Sequence, residues 1–165
     1  MSRYRPPAKP KSPYITREGY RTLLDEQQRL WLKRREVVSA LSDAAAEGDR
    51  SENAEYIYRK KELREIDRRI HYLQKRLPDL TVVDRAPDIQ TTVFFGARLT
   101  LENEHGNTKQ VRIVGCDEID AAPGHISVDS PLAQALLKKN LDDEVTVSTP
   151  TGQQVYWIIN IHYAV

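Results

Sequence analysis

A chain of 165 residues with 39% hydrophobic and 30% charged residues has room for one ordinary domain or two small ones, and too little apolar material for a single large core. No apolar run is long enough to span a bilayer, and the start, MSRYRPPAKPKSPY, lacks the apolar stretch of a signal peptide, so the reading is a soluble, cytoplasmic protein with no membrane partner. The net charge of +1 hides an asymmetry: residues 1–80 carry 19 Lys and Arg against 13 Asp and Glu (+6), and residues 81–165 carry 6 against 11 (−5), so each half suits a different partner.

Residues 1–13 hold four prolines and four basic residues and read as a disordered basic arm. Thr16 is placed to cap a helix, with Gly19 a weak spot just inside it. From Thr16 to Glu47 the pattern is helical. Tyr20, Leu24, Gln27, Trp31, Arg34, Val38, Leu41 and Ala45 step alternately by four and three, and Leu23, Leu30 and Val37 widen the stripe. Gly48 breaks the period. A second helix is expected from Ser51 to Leu77, where Leu63, Ile66, Ile70, Leu73, Leu77 and Leu80 keep a strict heptad step. Two apolar seams joined by one short break bury each other most simply as an antiparallel helical hairpin. At 1.5 Å per residue, a helix of about 30 residues makes a rod roughly 45 Å long. Residues 48–52 lie at its tip.

After Pro78 and Pro87 the period changes to two. Strands are expected at Leu80–Val83, Thr92–Glu102, Lys109–Gly115, Ile126–Val128, Val145–Ser148 and Val155–Tyr163. Glu104–Asn107 forms a hairpin turn, and Pro131–Lys139 a short helix capped by Asp129 or Ser130. The fold class is therefore α+β: a coiled-coil hairpin over residues 14–80, then a small antiparallel sheet domain over residues 81–165. Phe94, Phe95, Tyr156 and Trp157 are read as its core. The lone Cys116 excludes an internal disulfide and reads as a small buried apolar side chain. His71, His105, His125 and His162 include no pair at metal-ligand spacing.

The tip reads Glu47-Gly48-Asp49-Arg50-Ser51-Glu52-Asn53-Ala54-Glu55-Tyr56. By spacing alone this is an ordinary turn between helices: Gly48 ends the first, and Asp49 with Glu52 makes a capping box, with Ser51 the alternative cap. The same two carboxylates, at the end of a rod, are also oxygen ligands of the type Mg²⁺ takes one or two at a time beside substrate phosphates.

The segment Gly48-Asp49-Arg50-Ser51-Glu52-Asn53-Ala54-Glu55-Tyr56 resembles the tip signature of the GreA/GreB family of bacterial transcript-cleavage factors. Lys60-Lys61-Glu62-Leu63-Arg64-Glu65-Ile66-Asp67-Arg68-Arg69-Ile70 is similar to the second helix of its GreB branch. Ile126-Ser127-Val128-Asp129-Ser130-Pro131-Leu132-Ala133 and Ala135-Leu136-Leu137-Lys138-Lys139 are similar to its C-terminal segment. The resemblance implies an N-terminal coiled coil that enters the secondary channel of RNA polymerase, and an FKBP-like C-terminal domain that docks on the β′ subunit. It further implies that Asp49 and Glu52 help hold the polymerase's second catalytic Mg²⁺, no metal being bound by the free protein. The polymerase's own active site then cuts the 3′ end of backtracked nascent RNA, so the factor is an accessory and not an enzyme.

The resemblance assigns contact with extruded RNA to a basic patch on the rod. Lys61, Arg64 and Arg68 share one helix face and make a phosphate-tracking stripe feasible; by spacing alone they could equally be a solvated face laced with ion pairs such as Lys61–Glu65, Glu65–Arg69 and Arg59–Glu62. Asp129, Ser130, Pro131 and Leu132 are the polymerase-docking candidates. The arm at residues 1–13 exceeds the minimal family pattern. A monomer is expected, since the hairpin satisfies its own seam. Two other functions stay open: a channel-binding inhibitor without cleavage, which would need an unsuitable tip, and a peptidyl-prolyl isomerase, which would need an open aromatic pocket in residues 80–165.

Overall fold

The computed structural model describes residues 6–48 and 52–163. The elements are β1 Tyr14–Thr16, α1 Arg17–Ala45, α2 Ala54–Arg76, a 3-10 turn at Leu77–Asp79, β2 Thr81–Val83, β3 Arg98–Asn103, β4 Thr108–Val114, β5 His125–Ser127, α3 Pro131–Leu136, β6 Glu144–Thr149 and β7 Gly152–His162. The chain divides into two compact units, residues 20–80 and the remainder.

In the helical unit α1 and α2 run antiparallel. Val37, Ile66 and Ile70 form its buried cluster, with Leu30 and Leu63 packed against them. The α2 seam is the expected one, with Ile66, Ile70, Leu73 and Leu77 all buried. The α1 seam is not. Leu23, Val37 and Ala44 are buried, whereas Trp31 is 42% and Val38 39% exposed. The inward row is Leu23, Leu30, Val37 and Ala44, one residue before the expected Leu24, Trp31, Val38 and Ala45. Two ion pairs cross between the helices: Arg69 Nε to Glu26 Oε1 at 2.7 Å and Nη2 to Oε2 at 3.0 Å, and Arg34 Nε to Asp67 Oδ1 at 2.6 Å. Arg34, one of the positions of the expected seam, is half-buried at its edge with a partner.

The second unit is a five-stranded sheet in the order β5-β4-β3-β7-β6. Every neighbouring pair is antiparallel except β4 with β5. Its core lies under one face: Leu99, Leu101, Val111, Ile113, Val145, Val147, Tyr156 and Ile158 pack with Ala133 and Leu136 of α3. Alternate residues of each strand point the other way, as the period of two requires. The expected strand Thr92–Glu102 is shorter, because Phe94–Ala97 forms a turn closed by Ala97 N–H to Phe94 C=O at 3.1 Å. Phe94 is accordingly 37% exposed and not core, whereas Tyr163 is buried and its hydroxyl donates to Thr92 C=O at 2.6 Å. Helix α3 stops at Leu136, and Lys138 adopts a positive φ of 67° just beyond it. Cys116 is half-buried.

A third piece was not apparent in the sequence. β1 pairs in parallel with β2, Ile15 opposite Val82. Pro13 C=O accepts from Thr81 N–H at 2.8 Å, and Ser12 N–H donates to Asp129 Oδ2 at 2.9 Å. The end of the proline-rich arm is thus tied down, and Tyr14–Gly19 belong with the sheet unit rather than with the hairpin. Thr16 does cap α1, its Oγ1 accepting from Gly19 N–H at 3.1 Å. Gly19 is no weak spot: a Cβ there would come within 2.1 Å of Glu118 Oε1.

Candidate functional site

Of the tip residues, Asp49, Arg50 and Ser51 lie outside the described residues, and Glu52 within them. The turn is framed by the helix ends on either side. α1 finishes at Ala45, and Gly48 takes a φ of 130°, open to glycine and strained for other residues. The cap of α2 is Asn53, whose Oδ1 accepts from Tyr56 N–H at 3.1 Å; the expected caps, Asp49 and Ser51, lie outside the described residues. The Asn53 amide also donates to Ala44 C=O at 2.8 Å. One side chain therefore satisfies an orphan donor at the start of α2 and adds a second hydrogen bond to Ala44 C=O, which also accepts from Glu47 N–H at 3.3 Å, stapling the two helix ends. Glu52 sits before the cap, exposed, with no partner among the described residues. Its carboxylate is not consumed in capping.

Along α2 the basic residues sort into two groups. Arg59 is held by Glu55 at 2.8 Å and Glu62 at 3.5 Å, and the hydrogen bond it donates to Glu55 raises its pKa further. Arg69 is committed to Glu26, and Lys60 lies over the Tyr56 ring. Lys61, Arg64 and Arg68 are exposed and make no ion pair among the described residues. The same step of three and four continues to His71 and Lys75, also exposed. A stripe of four Lys or Arg side chains and one His, 14 residue steps from Lys61 to Lys75, is about 21 Å long. The sequence held its full length in plain view, since the 3/4 spacing extends past Arg68.

In the sheet unit, Ser130 is the N-cap of α3, its Oγ accepting from Ala133 N–H at 3.2 Å, with Pro131 in the first turn. Asp129 is exposed, and its N–H is held by Ser127 Oγ at 3.1 Å. Leu132 is half-buried against the core. The four residues form one corner at the start of a short helix. Among the described residues no three His, Cys, Asp or Glu side chains gather in a way that could hold a metal ion. No helix there is long and apolar enough to cross a membrane.

Residues 13–82 match the family model described as transcription elongation factor, N-terminal, and residues 88–163 that of transcription elongation factor, GreA/GreB, C-term. The chain belongs to the GreA/GreB family of transcription elongation factors. It is similar to transcription elongation factor GreB of Xanthomonas axonopodis pv. citri, 55% identical over 99% of both chains. It is also similar to GreB of Pseudomonas aeruginosa, 52% identical over 99% of this chain and 98% of that one. These likenesses make it a GreB-type factor, acting on RNA polymerase in a family whose known role is stimulating transcript cleavage. The family models match from residue 13 onward, so residues 1–12 of the arm lie outside the family pattern, as the sequence leads one to expect. Among solved structures, GreA factor homolog 1 of Thermus thermophilus aligns over 92% of this chain and 99% of its own, with 24% identity and a TM-score of 0.41.

Proposed function

We propose that the hairpin of this accessory factor enters the secondary channel of RNA polymerase and presents Asp49 and Glu52 to the polymerase's active site, which then cleaves backtracked nascent RNA. The observation that carries this reading is Asn53. Because Asn53 caps α2, Glu52 stands outside the helix, exposed and without a partner among the described residues. A carboxylate used as a cap could not also serve as a ligand; this one can.

Two carboxylates supply only part of the six oxygens around Mg²⁺, so the remainder must come from polymerase, RNA phosphate and water. Held by Asp49 and Glu52 beside the polymerase's own metal, such an ion would supply one half of the two-metal stabilisation of the attacking and leaving oxygens in phosphodiester hydrolysis. What the chain itself contributes is a stapled tip, a pair of anionic oxygens and a positioned route for RNA. Lys61, Arg64 and Arg68, continued by His71 and Lys75, offer phosphates successive contacts along the rod. The corner at Asp129, Ser130, Pro131 and Leu132 is the surface we assign to docking on β′. No catalysis by the isolated factor is expected.

The test is cleavage of RNA in a stalled, backtracked elongation complex with Mg²⁺, comparing the native factor with Asp49→Asn/Glu52→Gln, polymerase binding being measured alongside. Short 3′ fragments released by the native factor, and none by a double variant that still binds, support the reading. Binding that only slows transcription makes the factor an inhibitor. The isomerase alternative would need an open aromatic pocket: one concavity of the sheet unit, at Arg98 and Arg112, has no Phe, Tyr or Trp in its lining, and another sets Phe95 and Tyr163 beside the charged Arg17, Glu18, Asp84 and Arg85.

A further inference from the structure

The face of the sheet opposite the core carries an arrangement that tip chemistry does not use. Arg98 on β3 is directly opposite Arg112 on β4. Arg112 is in turn opposite His125 on β5, and Arg98 opposite His162 on β7. One row across four strands therefore reads His125, Arg112, Arg98, His162. All four line a concavity of about 270 Å³, to which Thr100 and Asn160 add neutral polar groups. Side chains directly opposite across an antiparallel pair have Cβ atoms about 5 Å apart, and like charges there are destabilising. The row is thus a standing electrostatic cost in the isolated protein.

Local compensation is small. The nearest carboxylate is Glu18, 3.8 Å from Arg112 Nη2 and 73% exposed at its side chain. Arg112 is only 13% exposed at its side chain, and its Nε is buried with no hydrogen-bond partner. His125 is fixed by Nδ1 against Glu118 C=O at 3.3 Å. A guanidinium nitrogen without an acceptor, beside a second guanidinium in a polar hollow, is the donor set a tetrahedral oxyanion satisfies. The hollow is smaller than sites for drug-sized ligands, which run about 300–1,000 Å³. Its size suits one or two phosphate groups, not a whole nucleotide.

We propose that this row is a binding site for a doubly charged phosphate group, with Arg98 and Arg112 as its principal ligands and His125 and His162 flanking them. Two facing guanidiniums match a dianion better than the single charge of a carboxylate side chain. The site lies within the sheet unit and does not depend on the tip reading.

The experiment is amide chemical-shift titration of the full chain with inorganic phosphate and with pyrophosphate, against sodium chloride at matched ionic strength, for the native protein and for Arg98→Gln and His162→Gln. Arg98 and His162 are exposed, so these variants should fold, and their unperturbed β3, β4 and β7 amides would verify it. The expected result is saturable shifts at residues 98–100, 110–112 and 160–162, with affinity at least tenfold weaker in Arg98→Gln. Tighter binding of pyrophosphate than phosphate would assign the hollow to a diphosphate, and equal affinity to a single phosphate group; either supports the site. Shifts that chloride reproduces, or that Arg98→Gln leaves unchanged, overturn it. So does saturation confined to Lys61–Lys75, or by an acidic peptide but by neither phosphate.

Discussion

Glu118 accepts the backbone N–H of Thr16 at 3.0 Å through Oε2, although 102 residues separate them, and the same oxygen accepts Gly115 N–H at 2.7 Å. Oε1 takes the Thr16 hydroxyl. The carboxylate is only 5% exposed and holds β1, the cap of α1 and the end of β4 at a single point. Hydrogen bonds to a charged group contribute about 1.5–3 kcal/mol each, and a buried donor left without its acceptor costs about 1–3 kcal/mol. Glu118→Ala should therefore lower stability by roughly 3–5 kcal/mol in urea unfolding. Glu118→Gln keeps an acceptor and should cost less. A loss under about 1 kcal/mol for the alanine variant would remove Glu118 from this role.

Gly19 and Gly115 make room for that carboxylate. A Cβ on Gly115 would lie 2.4 Å from Tyr14 C=O, a backbone atom that cannot swing aside, whereas one on Gly19 would meet the Glu118 side chain. In a helix Gly→Ala ordinarily adds up to about 1 kcal/mol of stability. Here Gly19→Ala should instead destabilise by about 1–3 kcal/mol, as overpacking does. Thermal unfolding reads the sign directly: a raised midpoint refutes the fit.

Asn53 makes two separable contributions. Asn53→Ser retains a capping oxygen and drops the bridge to Ala44, and should cost about 1 kcal/mol. Asn53→Ala loses both, for about 2 kcal/mol. If the staple also positions Glu52, cleavage by Asn53→Ser should need more Mg²⁺ for half-maximal rate while polymerase binding is kept. An unchanged Mg²⁺ requirement would confine Asn53 to stability.

The Glu26–Arg69 pair is bidentate but only partly shielded, with side chains 28% and 41% exposed. A double-mutant cycle to alanine should give a coupling of about 0.5–1 kcal/mol, falling toward zero in 1 M salt. Coupling that survives high salt would show a more buried interaction than this geometry has.

Glu18 has its pKa lowered from 4.5, first by a hydrogen bond with its own backbone, then by Arg112, the Thr16 side chain and Arg98, against opposing desolvation. A carboxyl whose folded pKa is depressed stabilises the fold above its unfolded pKa, and that contribution is lost as pH falls through the folded value. The acid limb of the stability profile should therefore flatten in Glu18→Gln below about pH 4.5, while phosphate affinity at the Arg98–Arg112 row should rise with one competing charge removed. Identical acid limbs in the two proteins would contradict the first, and weaker phosphate binding the second.

By itself the sequence determined the sort of elements and their order. Heptad steps require two helices that bury each other, the change to a period of two requires a sheet, and Ser130-Pro131 announces α3. The α2 seam was legible because it has one apolar stripe. α1 has two adjacent ones, Leu23/Leu30/Val37/Ala44 and Leu24/Trp31/Val38/Ala45, and periodicity cannot rank rows that differ by one residue. The partner helix decides, through Ile66, Ile70 and the pairs to Arg69 and Asp67. The cap of α2 was ambiguous for a similar reason: Asp49, Ser51 and Asn53 can all cap, and only the packing of Asn53 against Ala44 selects one. Thr16 meets Glu118 across 102 residues, and the alignment of Arg98 with Arg112 and two histidines depends on strand register between residues 98 and 162. No local pattern encodes that register, because it is set where the hydrophobic faces of distant strands close on one core.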